Sequence, residues 1–139
     1  FTAQEEVGLR GAGAAAFAVE PDVAIAVDVT DTGDLPEMKT AMAVEMGGGP
    51  AVKVMDRSVI CSPAVCADLE KAAELLGIST QREILQCGGT DTAALQKARA
   101  GVAAGAVSIP TRYIHSPSEM CAVSDVEQAA QLLAQFAQL

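Results

Sequence analysis

Aromatic and basic residues are the scarcest classes in this sequence of 139 residues. It has no Trp, one Tyr and three Phe, and its 9 Lys and Arg are outnumbered by 18 Asp and Glu, which gives a net charge of -9. Surfaces that bind single-stranded nucleic acids stack the bases on aromatic side chains, and few are present here. The negative charge repels phosphate backbones and anionic lipids. We therefore predict that neither nucleic acid nor a membrane is a partner.

Metal-binding cysteine motifs and long apolar runs are missing as well. The cysteines form no Cys-x-x-Cys pair, and the single histidine excludes the common zinc-finger patterns. No apolar run reaches the roughly 18 residues of a membrane span, and no charged leader with an apolar stretch is present. We interpret the four cysteines as reduced thiols and predict a soluble, cytoplasmic protein.

The length and the apolar content are those of one folded domain. Half of the residues are hydrophobic, which is enough for a single core. We interpret residues 1–3 as the end of a buried strand, with no initiator Met and no leading loop before it. Because domains normally begin in exposed polar segments, we expect the sequence to be a piece of a longer protein.

Alternating helical and extended patterns predict an α/β fold. The small residues 12–19 predict a helix, and the apolar run of residues 23–27 is typical of a parallel strand buried on both faces, here ending at Asp28. Further strands are predicted over residues 51–60, 82–87 and 106–109, and further helices over residues 62–77, 92–100 and the C-terminal segment after a Ser124-x-x-Glu127 capping box. This order predicts a sheet flanked by helices.

The stretch of residues 35–50 is predicted to be irregular. It contains Pro36 and the run Gly47-Gly48-Gly49-Pro50. A glycine-rich loop can cradle a phosphate group, but no Gly-Lys-Ser/Thr and no helix start follow this one. We interpret it as a flexible connection, and we interpret Asp31 and Asp34 just before it as turn-forming residues.

Acidic residues and the single histidine fall at predicted strand ends. Glu5 and Glu6 lie at a strand-to-helix turn, Asp28 ends the next strand, and His115 ends the last extended segment. Taken singly, an acidic turn at a helix N-terminus and a structural histidine account for these residues. Taken together, carboxylates and an imidazole at the carboxyl ends of strands form a zinc-type ligand set in the place where open α/β sheets bind ligands.

Five segments of the sequence together resemble the glutamyl and deblocking aminopeptidases that assemble as tetrahedral, TET-type particles. The segments are residues 1–12, 26–30, 52–57, 88–91 and 108–119, and they run in order through the whole chain. The resemblance implies an α/β fold with a mixed sheet and helices on both faces, in the architecture of zinc-dependent exopeptidases (phosphorylase/hydrolase-like). It implies that residues 1–139 are the C-terminal part of the catalytic domain. It implies that the upstream part and a dimerisation domain are absent from this sequence.

The resemblance also implies a set of roles for individual residues. Glu5 would be the general base, Asp28 would bind one of two zinc or cobalt ions, and Glu6 and His115 would bind the other. The implied reaction is removal of N-terminal residues from peptides by a water held between the two metals. Homo-oligomers are implied for the full-length family, a tetrahedral dodecamer in particular. Gly89, Thr90 and Asp91 are expected near the substrate pocket.

Two other interpretations stay open from the sequence. One is a different dinuclear zinc hydrolase on the same scaffold, such as a deacylase. The other is a metal-free α/β interaction module in which the four polar residues are only surface groups. Proteins of the resembling family have also been labelled endoglucanases, and carboxylate pairs do serve glycoside hydrolysis. The scarcity of aromatic residues disfavours that activity.

Overall fold

Residues 1–36 and 42–139, the part described by the computed structural model, form one mixed sheet and four helices. In chain order the elements are α1 (Arg10–Val19), β1 (Val23–Asp31), β2 (Ala51–Met55), α2 (Pro63–Leu76), β3 (Gln81–Ile84), α3 (Thr92–Gln96), β4 (Ala103–Arg112), β5 (Met120–Cys121) and α4 (Val123–Phe136). The strand order is β1, β4, β2, β3, and β5 pairs with β4. The predicted α/β fold with a mixed, helix-flanked sheet is confirmed.

The pairing of β1 with β4 decides where the ends of these strands meet. The two strands are parallel along their whole register, from Val23 opposite Ala103 to Asp31 opposite Thr111. β2 is antiparallel to β4, and β3 is parallel to β2. Since the carboxyl ends of β1 and β4 lie at the same edge of the sheet, the loops that follow them converge there.

The main core lies between the sheet and the helices α2 and α4. Val52 and Val107 on the sheet face Leu69 of α2 and Leu132 of α4, and all four side chains are almost completely buried. The predicted boundaries of α2 are confirmed, because Pro63 occupies its first turn and Gly77 ends it at φ 65°. Glycine adopts that left-handed conformation without the steric cost of a Cβ.

The prediction that residues 1–3 end a buried strand was wrong. Phe1, Thr2 and Ala3 are exposed and lie outside the strands of the described chain. The carbonyl of Ala3 accepts a hydrogen bond from the backbone N–H of Gly11 at 2.8 Å. A Cβ on Gly11 would collide with the backbone of Ala3, so glycine permits this close approach. The segment therefore closes over the first turn of α1.

Two expectations for β1 were also wrong. The strand continues past Asp28 to Asp31, because β4 extends far enough to pair with it. It is also not buried on both faces: Val23 and Val27 are 46% and 54% exposed. β1 lies at one end of the strand order and has a paired neighbour only in β4 within the described residues. Asp31 is thus a strand residue rather than a turn residue.

The prediction of a capping box at the start of the C-terminal helix was wrong. α4 starts at Val123, Ala122 occupies the N-cap position, and Ser124 lies inside the helix. The buried carboxylate of Asp125 accepts backbone hydrogen bonds from Gly47 at 2.8 Å and Gly49 at 3.2 Å. The glycine run is therefore attached to the first turn of α4 by a long-range contact that no local pattern contains.

Several other predicted boundaries shift by a few residues. β2 ends at Met55, and the chain turns back so that Ile60 forms a bridge with Met55. α3 and β3 are shorter than predicted, and the predicted irregular stretch has no helix or strand in its described part. Residues 37–41 of that stretch lie outside the described residues. In the described ranges, no helix is both long and apolar enough to cross a bilayer.

Candidate active site

A cavity of about 610 Å³ opens beside the carboxyl end of β1. Its walls come from the turn before α1, the last residues of β1, the loops after β2 and β3, and the turn after β4. It brings together most of the predicted site residues: Glu5, Glu6, Asp28, Gly89, Thr90 and His115. Asp91 lies outside this lining.

The two adjacent glutamates occupy the turn that precedes α1. The carbonyl of Glu5 accepts hydrogen bonds from the backbone N–H groups of Gly8 at 3.1 Å and Leu9 at 2.9 Å. Glu5 is half-buried, whereas the side chain of Glu6 is 73% exposed. The turn therefore presents two neighbouring carboxylates to the same cavity in different environments.

His115 lies beside Glu6 although more than a hundred positions separate them in the chain. Its Nε2 is 3.1 Å from Oε1 of Glu6. The prediction that His115 directly ends a strand was wrong, because β4 ends at Arg112 and His115 follows in a turn. His115 has φ 60°, and its backbone N–H donates a 2.5 Å hydrogen bond to Oε1 of Glu119. This hydrogen bond orders the turn that holds the imidazole.

Asp28 reaches the cavity from within β1. Its neighbour across the parallel pair is Ser108 of β4, so the backbone that carries it is fixed on one side by the sheet. One carboxylate oxygen of Asp28 accepts a 2.7 Å hydrogen bond from the backbone N–H of Val29. Asp28 thus lies within a strand rather than at its predicted end, and a rigid strand places a side chain more firmly than a loop would.

Burial and neighbouring acidic charges raise the pKa of two carboxyl groups of the site, Glu5 and Asp28. Burial raises the pKa of Glu5 above its ordinary value, and the charges of Asp28, Asp91 and Glu6 raise it further, whereas His115 lowers it. Burial also raises the pKa of Asp28, against the lowering effects of the Val29 N–H and the Lys53 charge. Functional sites often hold acidic side chains so close together that their ionisation is disfavoured.

Thr90 connects the cavity wall to a buried carboxylate. Its hydroxyl donates to Oδ2 of Asp56 at 3.1 Å and lies 2.9 Å from the hydroxyl of Thr92. The other oxygen of Asp56 accepts hydrogen bonds from the backbone N–H groups of Ser58 and Val59, at 2.7 and 3.0 Å. Asp56 therefore fixes the loop after β2 and the loop after β3 to each other.

A buried ion pair below this loop was missed by the sequence pattern. Lys53 alternates with the apolar residues Val52 and Val54 in the predicted strand, yet Lys53 and Glu83 are fully buried and form a salt bridge. The Nζ of Lys53 also lies 3.9 Å from Asp56, and the hydroxyl of Thr30 donates to Glu83 at 2.9 Å. A buried lysine is stable only when paired, and its partner on β3 lies too far along the chain for a local pattern to show.

Asp91 is buried next to the site rather than in its wall. Its Oδ2 accepts a 2.5 Å hydrogen bond from the hydroxyl of Thr2. Its other oxygen is buried without a hydrogen-bond partner among the described atoms. Asp91 thus adds negative charge near Glu5 and Asp28 without facing the cavity.

The donor chemistry of the cavity fits divalent metal ions. Glu6 and Asp28 offer carboxylate oxygens and His115 offers an imidazole nitrogen, the groups that zinc takes in proteins. The orphaned oxygen of Asp91 shows that negative charge near these residues is not fully compensated. Within residues 1–36 and 42–139, however, no three His, Cys, Asp or Glu side chains converge on one point as a metal site.

Two further acidic residues line the cavity and were not predicted as site residues. They are Asp31, which was predicted to form a turn, and Glu119, the last residue of the resembling segment 108–119. A prediction that β1 extends to Asp31 would have placed this residue at the site. The length of β1, however, depends on its pairing with β4, which the local sequence does not show.

Comparison with known proteins shows which family the chain belongs to. The family model for M42 glutamyl aminopeptidases matches residues 1–132. The chain belongs to the M42 family. A protein of Acetivibrio thermocellus described as a candidate aminopeptidase is 55% identical to this M42 chain over 133 residues, which cover 96% of the chain and 40% of that relative.

Solved structures extend the M42 assignment to the fold. An aminopeptidase from the archaeon Desulfurococcus kamchatkensis superposes with a TM-score of 0.91 at 41% identity, over 98% of the chain and 39% of that structure. The TET1 peptidase of Pyrococcus horikoshii, which can assemble into a tetrahedron or a large octahedral shell, gives a TM-score of 0.82 at 34% identity over 99% of the chain and 39% of that structure. This M42 chain spans about 40% of the length of the relatives it matches.

Proposed function

We propose that this M42 chain is the C-terminal part of the catalytic domain of an aminopeptidase, which removes N-terminal residues from peptides. The observation that carries the proposal is the meeting of Glu5, Glu6, Asp28 and His115 around one cavity, from three separated segments of the chain. Family membership supports the same activity.

The proposed roles follow from the position of each side chain. Glu6 and His115, which lie 3.1 Å apart, would hold one metal ion, and Asp28 on β1 would hold a second. A divalent ion bound by such groups lowers the pKa of a coordinated water and polarises the peptide carbonyl. Glu5, half-buried and beside these ligands, would accept the proton of the attacking water and deliver it to the departing amine.

Metal identity, assembly and compartment are parts of the same proposal. Zinc or cobalt would suit the mixed carboxylate and imidazole donors. The ability of the related TET1 peptidase to form closed shells supports a homo-oligomer for the full-length protein. The four cysteines, all within the described ranges, are free thiols, which supports a cytoplasmic location.

Turnover of chromogenic substrates by the metal-loaded, full-length protein tests the function. We expect aminoacyl-anilides with a free amino group to be hydrolysed, and we expect a chelator to abolish the activity and added zinc or cobalt to restore it. N-acetylated amino acids distinguish a deacylase, which would hydrolyse them and leave the anilides intact. If the protein hydrolysed neither class of substrate, the proposal would be contradicted.

Metal content should separate the proposed ligands into two groups. In the full-length protein, Glu6→Ala and His115→Ala each remove a ligand of the same ion, so we expect both variants to lose about one metal per chain. Asp28→Ala should weaken the other position instead. Elemental analysis after dialysis measures this, with Glu127→Ala on the exposed face of α4 as a control that changes charge away from the cavity. Full occupancy in all three variants would remove these residues as ligands.

A further inference from the structure

The charge of the cavity lining is one-sided. Besides Glu5, Glu6 and Asp28, the lining contains Asp31 and Glu119, and no Lys or Arg of the described chain belongs to it. Glu5, Glu6 and Asp28 have roles in the proposed reaction. Asp31 and Glu119 are two carboxylates without such a role.

Three basic residues close to the cavity lie outside its lining. Lys53 is buried in its ion pair with Glu83, and the guanidinium of Arg112 forms a 2.5 Å ion pair with Asp34. Arg57 donates its backbone N–H to the carbonyl of Gly88 in the wall, but its side chain is exposed and outside the lining. None of these three side chains therefore forms an ion pair with Asp31 or Glu119.

Apolar side chains form part of the same lining. Leu9, Val29, Leu85 and Ile114 contribute apolar surface to the same cavity as Asp31 and Glu119. A lysine or arginine side chain can lay its methylene stem along apolar surface and place its charged end beside a carboxylate. A glutamate or aspartate side chain would bring a negative charge toward carboxylates, which costs free energy.

We propose that the cavity accepts N-terminal residues with basic side chains, discriminates against acidic ones, and owes this preference to Asp31 and Glu119. The inference rests on the proposed aminopeptidase function and adds its substrate class. It also separates this M42 chain from the glutamyl specificity in the family's name.

The test compares kcat/KM of the full-length, metal-loaded protein for lysyl-, leucyl- and glutamyl-anilides. We expect the lysyl substrate to exceed the glutamyl substrate by at least about tenfold, a difference of about 1.4 kcal/mol. Asp31→Asn and Glu119→Gln should each reduce the ratio of lysyl to leucyl turnover several-fold. Raising the ionic strength should reduce it as well, because salt screens charges at an open site.

Asp22→Asn is the matched control, since it removes one exposed carboxylate at the opposite end of β1. Its lysyl-to-leucyl ratio should equal that of the unmodified protein. The proposal would be overturned if the glutamyl substrate were turned over as fast as the lysyl substrate or faster, especially if this activity were lost in Arg57→Ala. Unchanged lysyl-to-leucyl ratios in both Asp31→Asn and Glu119→Gln would overturn it as well.

Failure of the proposed function gives a different result, namely no turnover of any anilide. Calorimetric titration with lysinamide, leucinamide and glutamic acid α-amide then measures the preference without chemistry. Tighter binding of lysinamide, weakened in Asp31→Asn, would support the charge argument, and equal or absent binding of the three amides would overturn it.

Discussion

Replacing Glu5 with glutamine in the full-length protein is expected to lower kcat by at least about 10²-fold, the usual effect of losing a general base. Glutamine keeps the size and hydrogen-bonding capacity of the side chain but cannot accept a proton from water. Glu5 lines the cavity beside Glu6 and Asp28, so its carboxylate is close to the proposed ligands. Metal content and thermal stability should stay near those of the unmodified protein.

Glu74→Gln provides the control for this experiment, because it makes the same chemical change on the exposed side of α2. Steady-state kinetics with one good anilide substrate measure both variants, and elemental analysis confirms that the metal is retained. If Glu5→Gln kept activity within a few-fold of the unmodified protein, Glu5 could not be the base. A loss of metal together with activity would instead make Glu5 a ligand.

Expressed alone, the 139 residues are expected to show no aminopeptidase activity and to bind zinc weakly or not at all. A catalytic zinc ion normally has three protein ligands. Glu6 and His115 supply two ligands for one ion, and Asp28 supplies one ligand for the other. Within the described residues, no three donor side chains converge on one point. Calorimetric titration with zinc and an anilide assay measure both properties. Tight binding of two zinc ions, or turnover, would show that this ligand count is wrong.

The same 139 residues are expected to self-associate through β1. This strand lies at the end of the strand order, and Val23 and Val27 on it are 46% and 54% exposed. An exposed, apolar edge strand offers its backbone groups to another chain. Light scattering should detect oligomers, and Val27→Lys should reduce them because a charged side chain disfavours edge pairing. Val123→Lys, at an exposed position of α4, is the control. A monomer at high concentration would contradict this expectation.

The order of helices and strands and the identity of the candidate site residues were available from the sequence. α2 could be predicted with its limits because a proline in its first turn and Gly77 after its end act within a few residues. The acidic residues and the histidine could be singled out because their chemistry does not depend on the fold. The resemblance to TET-type aminopeptidases, confirmed by the family match, then supplied their expected roles.

The tertiary structure decided which of these residues meet and which surfaces are buried. Lys53 alternates with apolar residues along β2, and only the neighbouring strand β3 brings Glu83 to pair with it in the core. Asp125 binds Gly47 and Gly49 across more than seventy positions, and the pairing with β4 extends β1 so that Asp31 reaches the cavity. A local pattern encodes the conformation of a segment, whereas strand order and register depend on contacts between distant segments. The sequence therefore determined the elements and the chemical groups, and the register of β1 on β4 decided the acidic lining of the site.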